Sequence, residues 1–63
     1  MKKTFFYTLK DNTLTLYDNK GMSLADISEV YDTSYDSIVN LSEDTLYNMG
    51  YINETEKILL YPY

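Results

Sequence analysis

The sequence predicts a small α+β domain, in which an N-terminal β-hairpin and one further strand form an antiparallel sheet with two short helices packed on it. Three observations support this fold class. Two segments rich in aromatic residues, Thr and Leu flank a polar turn near the start. Two capped segments with apolar residues at helical spacing follow, and a short apolar run lies near the end. With 63 residues the chain is expected to form one domain, residues 1–63.

The predicted hairpin joins residues 5–9 to residues 13–17 through Lys10, Asp11 and Asn12. Asp and Asn favour tight turns, while aromatic and β-branched residues favour strands. In the second strand Leu14 and Leu16 alternate with polar neighbours, so one face is expected to be buried.

The first predicted helix runs from Ser23 to about Asp32. A Ser hydroxyl at the start of a helix accepts a hydrogen bond from a free backbone N–H, and Asp26 stands three residues later, where an acid reaches back to the cap. The apolar residues of this segment recur at the helical period and form one stripe. They are Leu24, Ile27, Val30 and Tyr31.

The second predicted helix opens at residues 33–36, where the cap pattern recurs, and a third cap pattern at residues 42–44 leaves open whether the helix restarts or continues. Gly50 is expected to end it, since Gly readily adopts the left-handed conformation of a helix C-terminus. Residues 53–57 are predicted as a polar turn and residues 58–61 as a last strand before Pro62.

The composition favours a binding protein with a basic partner. Ten acidic residues oppose five lysines, for a net charge of -5, and this charge repels nucleic acid and anionic membranes. Direct contact with either is therefore not expected. Without Cys or His, neither disulfides nor common zinc ligands stabilise so small a core, so we expect a homodimer.

The residue inventory argues against catalysis. Nucleophilic chemistry that pairs Ser or Cys with His is excluded because the chain contains no His or Cys. Its two glycines are too few for a glycine-rich phosphate loop. We expect no enzyme activity, no cofactor and no metal.

The distribution of charge is the most informative feature. Residues 21–56 contain eight carboxylates and no basic residue. On a helix, the spacing of Asp26, Glu29, Asp32 and Asp36 places carboxylates along one edge, as a phosphate mimic requires. The alternative interpretation is an ordinary charged surface. Tyr17, Tyr31 and Tyr35 lie in or beside this region, and Tyr is typical of both small cores and interfaces.

The first residues carry a basic tip, but their apolar run is interrupted by Lys10 and Asp11 and is too short for a signal peptide or a membrane span. A cytoplasmic location is therefore expected.

Residues 20–41 resemble the small phage-encoded uracil-DNA glycosylase inhibitors of protein-primed Bacillus phages. The match needs no gap and covers about a third of the chain. The matching residues are Lys20, Gly21, Ser23, Leu24, Asp26, Tyr31, Asp36, Ile38 and Leu41. The resemblance implies an acidic homodimer in the infected host cell that imitates DNA. Its carboxylates approach the DNA groove of the glycosylase, and an apolar pocket at the dimer captures the side chain that the enzyme inserts into the duplex.

The charge pattern and the resemblance together give a set of expected partner-binding residues. These are Leu24, Asp26, Ile27, Ser28, Glu29, Tyr31, Asp32, Tyr35 and Asp36. The chain differs from the family at two of them, since Ile27 replaces an aromatic residue and Ser28 replaces a glutamate. The segment from about Thr45 onward has no counterpart in the family.

Two other functions fit parts of the sequence. The expected β-α-α-β order, residues 21–24 and residues 58–61 are similar to the LysM peptidoglycan-binding module, which would imply glycan binding. An anti-CRISPR or another phage inhibitor would share the DNA-mimic chemistry and act on a different target.

Overall fold

A computed structural model describes residues 2–63 and shows a small α+β domain with one four-stranded sheet and one helix. The elements in chain order are β1 (Lys2–Lys10), β2 (Thr13–Tyr17), β3 (Ser23–Ile27), α1 (Tyr35–Met49) and β4 (Lys57–Pro62). In space the strands follow the order β3-β2-β1-β4. The predicted fold class is confirmed, with one helix where two were expected.

The predicted hairpin is present. Lys10 lies opposite Thr13, so the connection consists of Asp11 and Asn12 alone. Their φ angles are 53° and 60°, as a type I′ turn requires at both central positions. Asp and Asn tolerate this left-handed conformation better than most residues do, which is why this pair forms the turn.

The first predicted helix is wrong, because residues 23–27 form β3 instead. This strand pairs antiparallel with β2, placing Ala25 opposite Leu16 and Ile27 opposite Leu14. A register shift at Leu16 and Tyr17 leaves Leu24 as an extra residue in β3. Such a bulge disturbs the simple alternation of a strand, so the spacing of Leu24 and Ile27 fits a helix as well. Ser23 is therefore the first residue of a strand and not a helix cap.

The second predicted helix is confirmed as α1, and it continues through Ser42 without a restart. Gly50 follows the last helical residue at φ 88°, and its N–H donates to carbonyls of the last turn, as expected of a left-handed cap. The hydroxyl of Ser42 is fully buried and donates to the carbonyl oxygen of Ile38 at 2.6 Å. This bond satisfies a polar group in the helix face that packs on the sheet.

The last predicted strand is also confirmed, but its direction is not the expected one. β4 runs parallel to β1, with Phe5 opposite Leu60, so the sheet is mixed and not antiparallel. A parallel neighbour requires a long crossover connection, and residues 11–56, which include β2, β3 and α1, provide it.

The core lies between α1 and one face of the sheet. It contains Phe5, Leu14, Leu16, Val30, Ile38, Leu46, Ile52, Ile58 and Leu60. With a single helix, the other face of the sheet stays uncovered and carries aromatic residues on neighbouring strands, among them Phe6, Tyr17 and Tyr61. Within residues 2–63, no helix has both the length and the apolar character needed to cross a membrane.

Candidate binding surface

The acidic segment, residues 26–36, connects β3 to the first turn of α1. Its four carboxylates belong to Asp26, Glu29, Asp32 and Asp36, and all four residues are exposed. Asp26 lies on a strand, Glu29 and Asp32 in the connection, and only Asp36 on a helix. The prediction that these carboxylates lie along one edge of a helix is therefore wrong. They are spread over a strand, a connection and the first turn of a helix.

The connection is attached to the hairpin turn by two hydrogen bonds between Asn12 and Val30. The Val30 N–H donates to the Asn12 carbonyl at 2.8 Å, and the Asn12 Nδ2 donates to the Val30 carbonyl at 3.2 Å. Val30 itself is buried in the core. This combination of burial and hydrogen bonds fixes the path of the chain on both sides of Val30.

Glu29 adopts a left-handed conformation, with φ of 60°, immediately before Val30. For a residue with a long side chain this conformation is unfavourable and persists only where the surroundings impose it. The anchored Val30 is the neighbour that imposes it here. The exposed carboxylate of Glu29 therefore projects from a defined position in the backbone.

Asp32 organises the start of α1. Its Oδ1 accepts from the Ser34 N–H at 3.1 Å, and its Oδ2 accepts from the Ser37 hydroxyl at 2.7 Å. The bond from Ser37 and the bond from the Ser34 N–H hold the pKa of Asp32 below its ordinary value. The Ser34 side chain makes no cap hydrogen bond, so the cap predicted at residues 33–36 is not formed. Asp32 instead joins Ser34, just before the helix, to Ser37 in its first turn.

Asp26 is held at the other end of the acidic segment. Its Oδ1 accepts from the Thr15 hydroxyl at 2.7 Å, across the pair that joins β2 to β3. The carboxylate is thus oriented on the uncovered face of the sheet, which also carries Thr15.

The predicted apolar and aromatic contacts divide into two groups. Leu24 and Ile27 are partly buried and pack against the core, which makes them structural residues in the single chain. Tyr31 and Tyr35 are 74% and 52% exposed, and Ser28 is exposed as well. The Tyr35 hydroxyl donates to the Leu60 carbonyl at 2.8 Å, which fixes this ring at the start of α1. Of these two rings, that of Tyr31 is the more exposed.

A second acidic surface was not predicted from the sequence. A groove of about 280 Å³ lies between the second half of α1 and the turn before β4. Its lining consists of Glu43, Asp44, Tyr47, Ile52, Asn53, Glu54, Glu56 and Lys57. The acidic residues within residues 21–56, where no lysine occurs, are the sequence feature that could have predicted this groove. Only the crossover to β4 brings residues 43–47 beside residues 52–57. Glu56 pairs with Lys3 at 3.6 Å, which neutralises part of this groove.

Comparison of the chain with protein-family models, curated proteins and solved structures finds no match.

Proposed function

We propose that this protein acts by binding and not by catalysis, as an inhibitor that occupies the DNA-binding groove of a uracil-DNA glycosylase. In this proposal the carboxylates of the acidic segment replace DNA phosphates on a basic protein surface. The observation that carries it is an exposed run of four carboxylates whose backbone is anchored at Asn12, Val30 and Asp32.

Anchoring matters because binding is stronger when less conformational freedom is lost. A flexible acidic tail would attract basic surfaces of many kinds. In the acidic segment, by contrast, Asp26, Glu29 and Asp32 each have a defined backbone or side-chain geometry. Fixed charges of one sign favour a partner with a fixed complementary pattern, which supports a specific target.

The glycosylase is proposed as that target because residues 20–41 resemble the family of glycosylase inhibitors described above. Some matching residues, such as Ile38, lie in the core and support the fold. Others, such as Asp26, Tyr31 and Asp36, are exposed and available to a partner. A match that includes exposed residues is better explained by a shared partner than by packing alone.

The proposal includes a homodimer, with an apolar pocket formed where two chains meet. In the single chain Ile27 packs against the core, so Tyr31 is the better placed apolar contact for a side chain of the enzyme. Light scattering at micromolar concentration tests the dimer, whose mass is twice the 7.4 kDa of one chain. A mass of one chain under those conditions contradicts this part of the proposal.

The LysM alternative loses support because the chain has one helix between β3 and β4. The module it resembled requires two helices between its strands. An anti-CRISPR or another DNA-mimic inhibitor uses the same acidic surface and differs only in its target, so the inhibition experiment separates it from the glycosylase.

The experiment mixes the protein with uracil-DNA glycosylase and uracil-containing DNA and measures uracil excision. Inhibition at a few-fold molar excess is expected. Full excision at that excess contradicts the glycosylase as target, and capture of another nucleic-acid-binding enzyme then identifies the alternative.

A matched pair of variants tests the acidic segment itself. Glu29→Gln with Asp36→Asn removes two charges from it, and Asp44→Asn with Glu54→Gln removes two from the groove. The first pair is expected to weaken inhibition about tenfold or more, a loss equivalent to about 1.4 kcal/mol, and to reduce its salt dependence. Equal effects of the two pairs would show that only net charge matters.

A further inference from the structure

The two edges of the sheet differ in how their backbone groups are satisfied. At the β4 edge, Glu43 Oε2 accepts from the Ile58 N–H at 3.1 Å, and the Tyr35 hydroxyl donates to the Leu60 carbonyl at 2.8 Å. Pro62, at the end of β4, has no N–H to offer. Side chains of α1 and a proline therefore close this edge to another strand.

At the β3 edge, no side chain hydrogen-bonds to the main chain of the strand and no proline is present within residues 2–63, while the bulge at Leu24 confines the regular part of the strand to residues 25–27. Because the hairpin turn has two residues, Lys10 and Thr13 form a hydrogen-bonded pair and the main-chain groups of Thr13 point to β1. The main-chain N–H and carbonyl groups point to opposite sides at successive residues of a strand, so those of Leu14 and Leu16 point to β3. Their partners Ile27 and Ala25 point back to β2.

The main-chain N–H and carbonyl of Asp26 therefore point away from the sheet. In the described part of the chain, the hydrogen bonds of β3 go to β2 and to no other element. Main-chain groups that point outward from a strand edge can form hydrogen bonds with an extended chain.

The charges around this edge select what can pair with it. The Asp26 side chain is exposed on the uncovered sheet face, and Glu29 follows two residues after the strand ends. No lysine lies in residues 21–56. Two β3 edges paired with each other would place Asp26 of each chain beside the acidic strand of the other, which is unfavourable, so the proposed dimer is not formed at this edge. A basic strand would instead place its cations beside Asp26.

We infer that the β3 edge binds an extended segment of the partner protein that carries Lys or Arg on alternate residues, as an added strand of the sheet. This inference rests on the proposed function, because it assigns a mode of contact to the basic partner. Main-chain hydrogen bonds supply affinity in this mode, and the alternate side chains beside Asp26 supply specificity.

A synthetic peptide of alternating Lys and Val tests the inference, with amide hydrogen exchange of the whole protein as the readout. In the free protein the Asp26 amide is expected to exchange rapidly while those of Ala25 and Ile27 are protected. Peptide binding is expected to slow exchange at Asp26 at least about tenfold, a change equivalent to about 1.4 kcal/mol. No change at Asp26 with the peptide bound overturns the inference.

Two further peptides remove the ambiguity between strand pairing and simple charge attraction. N-methylation of alternate residues blocks one edge of the peptide and leaves the other edge able to pair. One of the two methylation patterns is expected to abolish binding and the other to retain it. Equal affinities for both patterns contradict an added strand, and equal binding of a Glu and Val peptide contradicts the selection by charge.

The outcomes separate this inference from the proposed function. Inhibition of the glycosylase with the Asp26 amide still exchanging freely in the complex rejects the added strand and leaves the inhibitor proposal standing. Peptide pairing without glycosylase inhibition rejects the proposed target and supports the β3 edge as a site for another basic protein.

Discussion

The ring of Tyr63 stacks on the ring of Tyr17, with centroids 4.2 Å apart and planes inclined by 13°. The Tyr63 N–H donates to the Tyr7 carbonyl at 2.8 Å, which continues the pairing of β4 with β1 by one residue. Since Tyr17 belongs to β2, the Tyr63 ring crosses the uncovered face of the sheet over β1. This contact fastens the last strand to the hairpin.

Replacing Tyr63 with Ala should lower the free energy of unfolding. The stacked pair contributes about 0.5–1.5 kcal/mol beyond the area that it buries. Tyr31→Ala is the control, because Tyr31 is 74% exposed and stacks on no aromatic ring in the described part of the chain. Urea unfolding followed by circular dichroism measures both variants. Equal midpoints for the two variants would show that the stack contributes nothing.

The two glycines provide a test of how closely Tyr63 approaches the turn before β3. Both have positive φ, 85° at Gly21 and 88° at Gly50. A Cβ at Gly21 would lie 2.9 Å from the Tyr63 hydroxyl oxygen, whereas a Cβ at Gly50 has no atom within 4 Å. Gly21→Ala should therefore destabilise the fold more than Gly50→Ala does, by about 1 kcal/mol as estimated for modest overpacking.

A double-mutant cycle isolates that contact. In a Tyr63→Ala background the hydroxyl is absent, so the excess destabilisation by Gly21→Ala should disappear. An excess that persists without the ring would assign the difference to the backbone of the turn.

Asp18 and Asp32 should make the fold sensitive to acid. The Asp18 carboxylate accepts from the main-chain N–H groups of Met22 and Lys20, which lowers its pKa, and the bond from Ser37 lowers the pKa of Asp32. A lowered folded-state pKa stabilises the fold above the unfolded value, here about 3.8. That stabilisation is lost as pH falls below 3.8 through the folded-state pKa.

Urea unfolding midpoints, measured from neutral pH down to about pH 2, detect this loss of stability. That pH range includes the pKa values that carboxylates have in the unfolded state. Asp18→Asn and Asp32→Asn should each reduce the fall of the urea midpoint at acid pH, which is called the acid limb of the curve of midpoint against pH. Asp44→Asn is the control, since no hydrogen bond to its carboxylate is present within residues 2–63. An acid limb that is the same in all three variants would rule out these two carboxylates as its source.

The side chain of Asn12 should control the rigidity of the acidic segment. Asn12→Gly keeps the left-handed turn, because Gly adopts φ of 60° freely, but removes the bond to the Val30 carbonyl. A loss of about 0.5–1.5 kcal/mol is expected, with faster amide exchange at Val30. The proposed inhibition of the glycosylase is expected to weaken as well. Inhibition that survives undiminished while Val30 exchanges faster would show that anchoring of the segment is not needed for binding.

The local signals of the sequence were sufficient for several elements. The pair Asp11 and Asn12 favours a type I′ turn by its own conformational preferences, and Gly50 favours the end of a helix for the same reason. Helix α1 has a cap signal at its start and apolar residues at the helical period. Each of these features depends on residues close together in the chain, so the sequence is enough to predict it.

For the candidate site, the sequence predicted which residues are acidic and exposed but not how the backbone arranges them. The sequence identifies which carboxylates are free of neighbouring lysines. It does not place Glu29 in a left-handed conformation or Val30 against Asn12, because both depend on contact between segments 18 residues apart. The groove beside α1 has the same origin, since its two walls meet only after the chain has folded.

What the sequence by itself determined is therefore the hairpin, helix α1, the last strand and the acidic, lysine-free character of residues 21–56. Only the tertiary structure decided that residues 23–27 form a strand, because the free edge of β2 offers Leu14 and Leu16 as partners and this pairing outweighs a weak local preference for helix. It likewise decided that β4 lies parallel to β1, since that pairing joins residues more than fifty positions apart and has no local signature.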